Sequence, residues 1–203
     1  MINLLKDSFT RSLGLTRKVD VDYCFKEYLV SSFSDFRACS SCGEGCTDQQ
    51  VFMVDFGNSQ DVCIVELEKF FSQFANVERI AKGGRCDLMM YNNLKCAFVE
   101  LSCLESQYLE DGRGRIGKRT KARRQLCDSI MKLRYCTDIA EKIDSYEIKH
   151  AIFAYREKRK GNGRIYEAVS AFNMTDKISI NSISDMGNGF SFVIVKYPEK
   201  YVW

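Results

Sequence analysis

The segment from Cys86 to Cys103, CDLMMYNNLKCAFVELSC, constrains this chain more than any other stretch. Two apolar runs, Cys86 to Tyr91 and Leu94 to Cys103, meet at Asn92-Asn93, and asparagine tolerates the positive φ of tight hairpin turns. With those two residues as the turn, Tyr91 faces Leu94 and Asp87 pairs with Phe98. Directly paired residues project to one side, and alternate residues along a strand share a side. Asp87, Met89, Cys96, Phe98, Glu100 and Ser102 therefore form one face, and Leu88, Met90, Ala97, Val99 and Leu101 the other. Both faces are mostly apolar, so the pair belongs at the centre of a sheet covered on both sides.

Two acids on such a face are costly. A buried, uncompensated carboxylate costs several kcal/mol or becomes protonated. In this register Asp87 and Glu100 are diagonal neighbours with Cα atoms roughly 7–8 Å apart. A shared hard cation would offset their repulsion and desolvation. The alternative is a pair at the sheet margin, solvated or matched by Arg or Lys.

Around the hairpin the pattern is mixed α/β. Val21, Phe25, Tyr28, Leu29 and Phe33 follow a rough helical stripe, and Val51 to Phe56 reads as a strand. A helix capped by Ser59 or Asp61 is predicted to run to Phe74, with Ile64, Leu67, Phe70, Phe71 and Phe74 inward. Further helices are expected over Thr120 to Leu133 and Asp138 to Ile143. Further strands are expected over Lys149 to Arg156, Ile165 to Phe172 and Phe190 to Tyr197. Residues 1–58 read as an N-terminal extension with a Cys-rich loop, and residues 59–203 as the core. At 203 residues, with 45% apolar residues and a single proline, the chain has ample material for one core.

The hairpin with the helix after it, KARRQLCDSI, resembles the PD-(D/E)xK (restriction-endonuclease-like) nuclease superfamily, over about residues 60 to 155. The resemblance maps Asp87 and Glu100 onto the family's metal-binding aspartate and glutamate. It maps Gln125 onto a glutamine often found on the helix behind the site, and implies a further acid from the first helix, Glu66 or Glu68. It implies a central mixed sheet flanked by helices. It also implies an endo- or exonuclease that hydrolyses phosphodiester bonds with Mg²⁺ or Mn²⁺ held by Asp87, Glu100 and a carbonyl near Leu101, and, by analogy alone, a setting in prokaryotic defence or mobile elements. The chain departs from the motif at one place, where Ser102 stands for the Glu-x-Lys lysine. Strand parity puts Lys95 on the wrong face to replace it. Lys118, Lys121 and Gln125, spaced by three and four, share one side of the following helix, which makes Lys118 and Lys121 the candidates for the missing cation. The other reading is a protein on the same scaffold that binds nucleic acid or serves assembly, with the chemistry lost.

The net charge of +3 matters less than its distribution. Arg113, Arg115, Arg119, Arg123 and Arg124 crowd the Gly-rich loop and helix start, and Lys158, Arg159 and Lys160 form a second group. Two basic segments flanking an acidic site suit a phosphodiester substrate, DNA ahead of RNA; an ordinary solvated helix face is the alternative. Cys39, Cys42 and Cys46 have ligand-like spacing, and Cys24 could complete a structural zinc site or, less simply, hold an iron–sulfur cluster, but free thiols are the leading reading and structural metal the alternative. Most of the ten cysteines sit singly in apolar runs, as free thiols of the cytoplasm do. No membrane span is expected, and a homodimer or a protein partner is left open. With His150 as the only histidine, neither a serine- or cysteine-hydrolase triad nor a His-rich metal site is expected. His150 itself reads as a packing residue.

Overall fold

The computed structural model describes residues 1–16, 19–28, 33–37, 50–57, 62–104, 108–112, 114–157 and 184–203. The protein is mixed α/β. Ten strands are present among these residues: β1 (Phe25–Tyr28), β2 (Phe33–Arg37), β3 (Gln50–Asp55), β4 (Val62–Glu66), β5 (Leu88–Tyr91), β6 (Lys95–Leu104), β7 (Ile148–Glu157), β8 (Ser184–Gly187), β9 (Phe190–Lys196) and β10 (Lys200–Val202). The helices are α1 (Phe9–Ser12), α2 (Leu67–Ser72), α3 (Glu78–Ala81), α4 (Lys118–Arg134) and α5 (Thr137–Asp144), with a π-helical turn at Leu4–Ser8 and a 3₁₀ turn at Asp22–Cys24.

Seven strands form one sheet in the order β1-β4-β5-β6-β7-β9-β8, and three form a second in the order β10-β3-β2. The hairpin β5–β6 lies near the middle of the larger sheet. Its partner β7 runs parallel to β6, and the chain passes between them through α4 and α5, as parallel neighbours require. The alternation expected for the hairpin holds. Met89, Cys96 and Phe98 join Leu126, Ile130 and Leu133 of α4 in one core, whereas Leu88, Met90, Ala97, Val99 and Leu101 pack with Val51, Phe52, Val54 and Tyr201 of the second sheet. Among the described residues the helices thus cover one face of the large sheet and the small sheet covers the other.

Two segments expected to be helical are strands instead, one of them only in its first half. Val62–Glu66 is β4, paired antiparallel with both β1 and β5, and helix begins only at Leu67. Val62, Ile64 and Val65 are β-branched and buried. Such side chains pack well on a pleated surface and lose rotamer freedom in a helix. The stripe from Val21 likewise becomes a 3₁₀ turn followed by β1, then β2. The strand predicted at Ile165 to Phe172 lies outside the described residues, as do Cys39, Cys42, Cys46, Arg113, Lys158, Arg159 and Lys160. Cys24 is wholly buried in the helix-side core. Burial pushes its thiol pKa up, away from the thiolate a metal needs. The seven cysteines among the described residues are all free thiols.

The stretch 1–58 supplies β1, β2 and β3 as well as core side chains. Leu5 and Phe9 are fully buried. The Phe9 ring lies 5.3, 6.3 and 5.2 Å from those of Phe70, Phe71 and Phe74, which ties the N-terminus to α2. Phe9→Ala is therefore expected to lower the unfolding free energy by about 3–5 kcal/mol in one cooperative transition. Urea denaturation followed by circular dichroism measures it. A loss below about 1 kcal/mol would mean that the first helical turns dock without supporting the core.

Candidate active site

The hairpin's register differs from the expected one by two residues. Tyr91 pairs with Cys96, Met90 with Ala97, Met89 with Phe98 and Leu88 with Val99. The cause is Asn92, whose side-chain oxygen accepts hydrogen bonds from the backbone N–H groups of Leu94 (2.9 Å) and Lys95 (2.8 Å), while its own N–H donates to the Lys95 carbonyl. Asn92 is thus the last ladder residue, and Asn93-Leu94 make the turn. An even shift leaves the faces unchanged but sets Asp87 directly opposite Glu100 instead of diagonal to it.

β5 ends, towards Asp87, before β6 does. At that point the Leu101 N–H has no ladder partner on the β5 side, and Asp87 Oδ2 accepts it at 2.7 Å. The Asp87 carbonyl in turn accepts the N–H of Leu67 at 2.8 Å, so the first turn of α2 abuts the site. That contact brings in Glu68. Glu66 goes elsewhere: its register partner is Leu88, on the opposite face, and its carboxylate pairs with Lys69. Of the two acids the sequence left as alternatives, Glu68 is the one at the site.

The segment leading into Asp87 is fixed by α4. The Gly84 N–H donates to Asp128 Oδ2 (2.6 Å) and the Cys86 N–H to Ser129 Oγ (2.7 Å). Gln125 Nε2 donates to the Arg85 carbonyl (3.2 Å) and Lys132 Nζ to the Gly84 carbonyl (2.7 Å). These four side chains, at spacings of three, four and seven, form one face of the helix. A Cβ on Gly84 would lie 2.7 Å from the Gln125 Cα, so the backbone approaches α4 as closely as only glycine allows. Gln125 is on the helix behind the site, as the resemblance implies, and the contact it makes there is to the backbone that carries Asp87.

The result is a pocket of about 230 Å³. Asp87, Glu100, Glu68 and Ser102 line it from the sheet and α2 side, and Lys118, Lys121 and Gln125 from α4. Arg85 also lines it, a residue the sequence reading did not single out. Ser102, which stands where the resemblance would have a lysine, is buried. Lys95 lies on the far face, as parity requires. Its ammonium sits 4.6 and 4.9 Å from the Tyr201 and Trp203 ring centroids, and burial lowers its pKa to about 8. His150 is a packing residue: its Nδ1 lies 2.5 Å from the Tyr201 hydroxyl, and burial followed by the Lys95 charge lowers its pKa to about 4.

The basic loop is only partly directed at the pocket. Arg115 stacks on Tyr108 at 4.6 Å, Arg119 pairs with Glu110 at 3.2 Å and Arg123 donates to the Asp185 carbonyl at 2.7 Å. Arg124 is exposed. Asp111 anchors the loop by accepting the Gly117 N–H at 2.5 Å and the Thr120 hydroxyl at 3.0 Å. It thereby brings a carboxylate to the start of α4, whose first turn carries no acid of its own. Among the described residues no helix is long and apolar enough to cross a membrane.

Among the described residues no group of three or more His, Cys, Asp or Glu side chains is gathered as a metal cage. The pocket is instead lined by the carboxylates of Asp87 and Glu100, with the Leu101 N–H bonded to Asp87. That set fits a hard cation that keeps several of its waters, as Mg²⁺ does, and does not fit a tetrahedral zinc site. Set against protein-family models, curated proteins and solved structures, the chain matches none.

Desolvation is the main cause that raises the Asp87 pKa to about 6, with the Glu68 charge adding to it and the Leu101 N–H opposing it. A carboxyl near 4 when unfolded and near 6 when folded holds its proton more tightly in the folded state. Stability therefore falls as pH rises from about 4 to about 6, and the loss persists above that. Asn at position 87 keeps an acceptor for the Leu101 N–H and removes the charge. In EDTA at about pH 7.5, Asp87→Asn is expected to be more stable than the unsubstituted protein by about 2–3 kcal/mol, with the difference vanishing near pH 4. Urea unfolding across that range reads it. A difference independent of pH would show that the carboxylate is not desolvated.

Proposed function

We propose that the protein is a metal-dependent nuclease of the PD-(D/E)xK type, which hydrolyses phosphodiester bonds in nucleic acid, DNA ahead of RNA, at the Asp87–Glu100 pocket. The observation that carries the reading is convergence. Residues chosen along 58 positions of sequence, from Glu68 to Gln125, line one pocket, and they combine a carboxylate pair with lysines on its rim.

In this reading Asp87, Glu100 and a backbone carbonyl near Leu101 would hold Mg²⁺ or Mn²⁺. Such an ion, when bound, polarises the phosphate and lowers the pKa of the attacking water. Lys118 or Lys121 takes the part of the motif lysine and stabilises charge developing on the phosphate oxygens. Gln125, through Arg85, keeps Asp87 in place. One feature favours the second reading, a nucleic-acid-binding or assembly protein with the chemistry lost: the position of the motif lysine holds the short hydroxyl of Ser102, buried below lysines that are exposed. On either reading a homodimer or a further protein partner is compatible, and the prokaryotic defence setting remains an analogy.

Asp87→Ala and Glu100→Ala should each abolish Mg²⁺- or Mn²⁺-dependent cleavage of DNA, and neither should unfold the protein. Of Lys118→Ala and Lys121→Ala, only one should lower turnover sharply, by about 10²-fold or more, because one ammonium suffices beside the pair. Ser102→Lys should then be neutral or activating. Cleavage assays with both ions, together with calorimetric titration of each ion, decide the matter. If the unsubstituted protein cleaves no nucleic acid and binds no ion that Glu100→Ala removes, the nuclease reading fails. If it binds the ion but gains cleavage only with Ser102→Lys, the degenerate reading replaces it.

A further inference from the structure

A second cavity, of about 310 Å³, lies at the other end of α4, lined by Arg79, Lys82, Asp128, Met131, Lys132 and Tyr135 among others. Both cavities draw on one stripe of that helix. Lys118, Lys121, Gln125, Asp128, Lys132 and Tyr135 follow at steps of three and four, which keeps them on a single side. The backbone from Gly83 to Arg85 crosses the middle of the stripe, contributing Gly83 to the second cavity and Arg85 to the first. From Gln125 to Tyr135 is ten residues, about 15 Å of helix.

The wall chemistry of the second cavity is unlike an ordinary helix surface. Tyr135 and Met131 are 55% and 59% exposed, two large apolar side chains one turn apart and open to solvent. The Arg79 guanidinium lies 3.7 Å from the Tyr135 ring centroid and is itself held by a hydrogen bond to the Ser12 carbonyl at 2.8 Å. With Arg79 on one face of the ring, the exposed surface of Tyr135 is its other face and edge. The Arg79–Tyr135 stack is in place without a ligand, so less side-chain entropy is left to lose on binding. Cations outnumber acids on its walls, Arg79, Lys82 and Lys132 against Asp128, with Lys82 also paired to Glu78. A flat aromatic group carrying negative charge matches these walls, because bases stack on aromatic and guanidinium planes while phosphates take the cations.

We propose that this cavity is a nucleotide subsite for a single strand: its base lies on the open face of Tyr135 beside Met131, its phosphate lies against Lys82 and Arg79, and the strand continues along α4 to the Asp87–Glu100 pocket a few nucleotides away. The subsite deepens the nuclease reading and rests on it for the direction of the strand. It assigns a substrate class, nucleic acid with an unpaired stretch, since a paired base has no free face to stack.

The test uses the intact protein in EDTA, so that no cleavage intervenes, and fluorescence anisotropy with a labelled single-stranded DNA 15-mer and the same sequence as duplex. Single strand should bind more tightly than duplex. Tyr135→Ala should weaken single-strand binding about five- to hundredfold, the range of one lost base stack, with little change in the salt dependence. Tyr135→Trp should preserve or tighten it. Placing an abasic residue at successive positions should find one position whose loss Tyr135→Ala makes no worse. Melting temperatures confirm that the variants fold, and the solvent-exposed ring makes that the expected result. If Tyr135→Ala and Tyr135→Trp both bind like the unsubstituted protein, or if duplex binds best, the subsite is overturned while ion-dependent cleavage at Asp87 and Glu100 can still stand. A change of oligomeric state in Tyr135→Ala, with binding unaltered, would overturn it in favour of a protein contact. Tyr135-dependent single-strand binding in a protein that cleaves nothing would leave the subsite standing and remove the nuclease reading.

Discussion

Gly84 lies against α4 at a distance that leaves no room for a side chain, and the rest of the molecule's polar architecture is arranged around that approach. The Gly84 N–H and carbonyl are both taken by α4, through Asp128 and Lys132, and the flanking residues are held by Gln125 and Ser129. Buried backbone groups need partners, and β5 starts too late to provide them. The helix supplies them instead, with side chains a turn apart. Because the backbone is gripped at both groups, Asp87 enters the sheet at a fixed height and angle. A substitution at Gly84 would disturb Asp87 without touching it.

The same logic places the charge. β5 ends where β6 continues alongside β7, and the first orphaned donor, Leu101 N–H, is met by a carboxylate instead of a carbonyl. A carbonyl would have continued the ladder and left no charge. A carboxylate satisfies the donor with one oxygen but keeps its charge in a desolvated pocket near the Glu68 carboxylate, and its pKa rises accordingly. The metal-free protein therefore carries an electrostatic cost at one spot, of the kind a bound cation would relieve.

How much of this was legible in the sequence follows from the range of each interaction. The two-residue period of a buried hairpin is local, so the faces of β5 and β6 could be read directly, and with them the placing of Asp87, Glu100 and Ser102 on one side and Lys95 on the other. The register could not, because Asn92 uses its side chain to cap the turn and nothing in Asn92-Asn93 distinguishes which of the two does so. Val62 to Glu66 was read as helix because its apolar residues continue into Leu67, Phe70, Phe71 and Phe74. The β-branching of Val62, Ile64 and Val65 was the contrary signal, and pairing with β1 and β5 on both edges decides in its favour. Arg85, Asp128, Ser129 and Lys132 escaped notice for another reason. A helix face that grips a backbone and one that faces water have the same polar composition, and only the burial of Ser129 and Lys132 separates them.

The start of α4 is strongly basic. Its first turn holds Lys118, Arg119 and Lys121 and no acid, which sets cations against the positive end of the helix dipole, an arrangement that costs stability at each charge. Asp111, reaching in from the loop to the Gly117 N–H and the Thr120 hydroxyl, offsets part of that cost, and Gly117 permits the loop to lie within contact of the helix at Glu110. The remaining positive potential is directed at the pocket through Lys118 and Lys121, across from two carboxylates. Opposite charges held apart across a cavity, each disfavoured where it stands, would be stabilised together by a ligand that carries both a cation and an anion. A metal-bound phosphate has that character, and the proposed chemistry needs nothing else from this end of the helix.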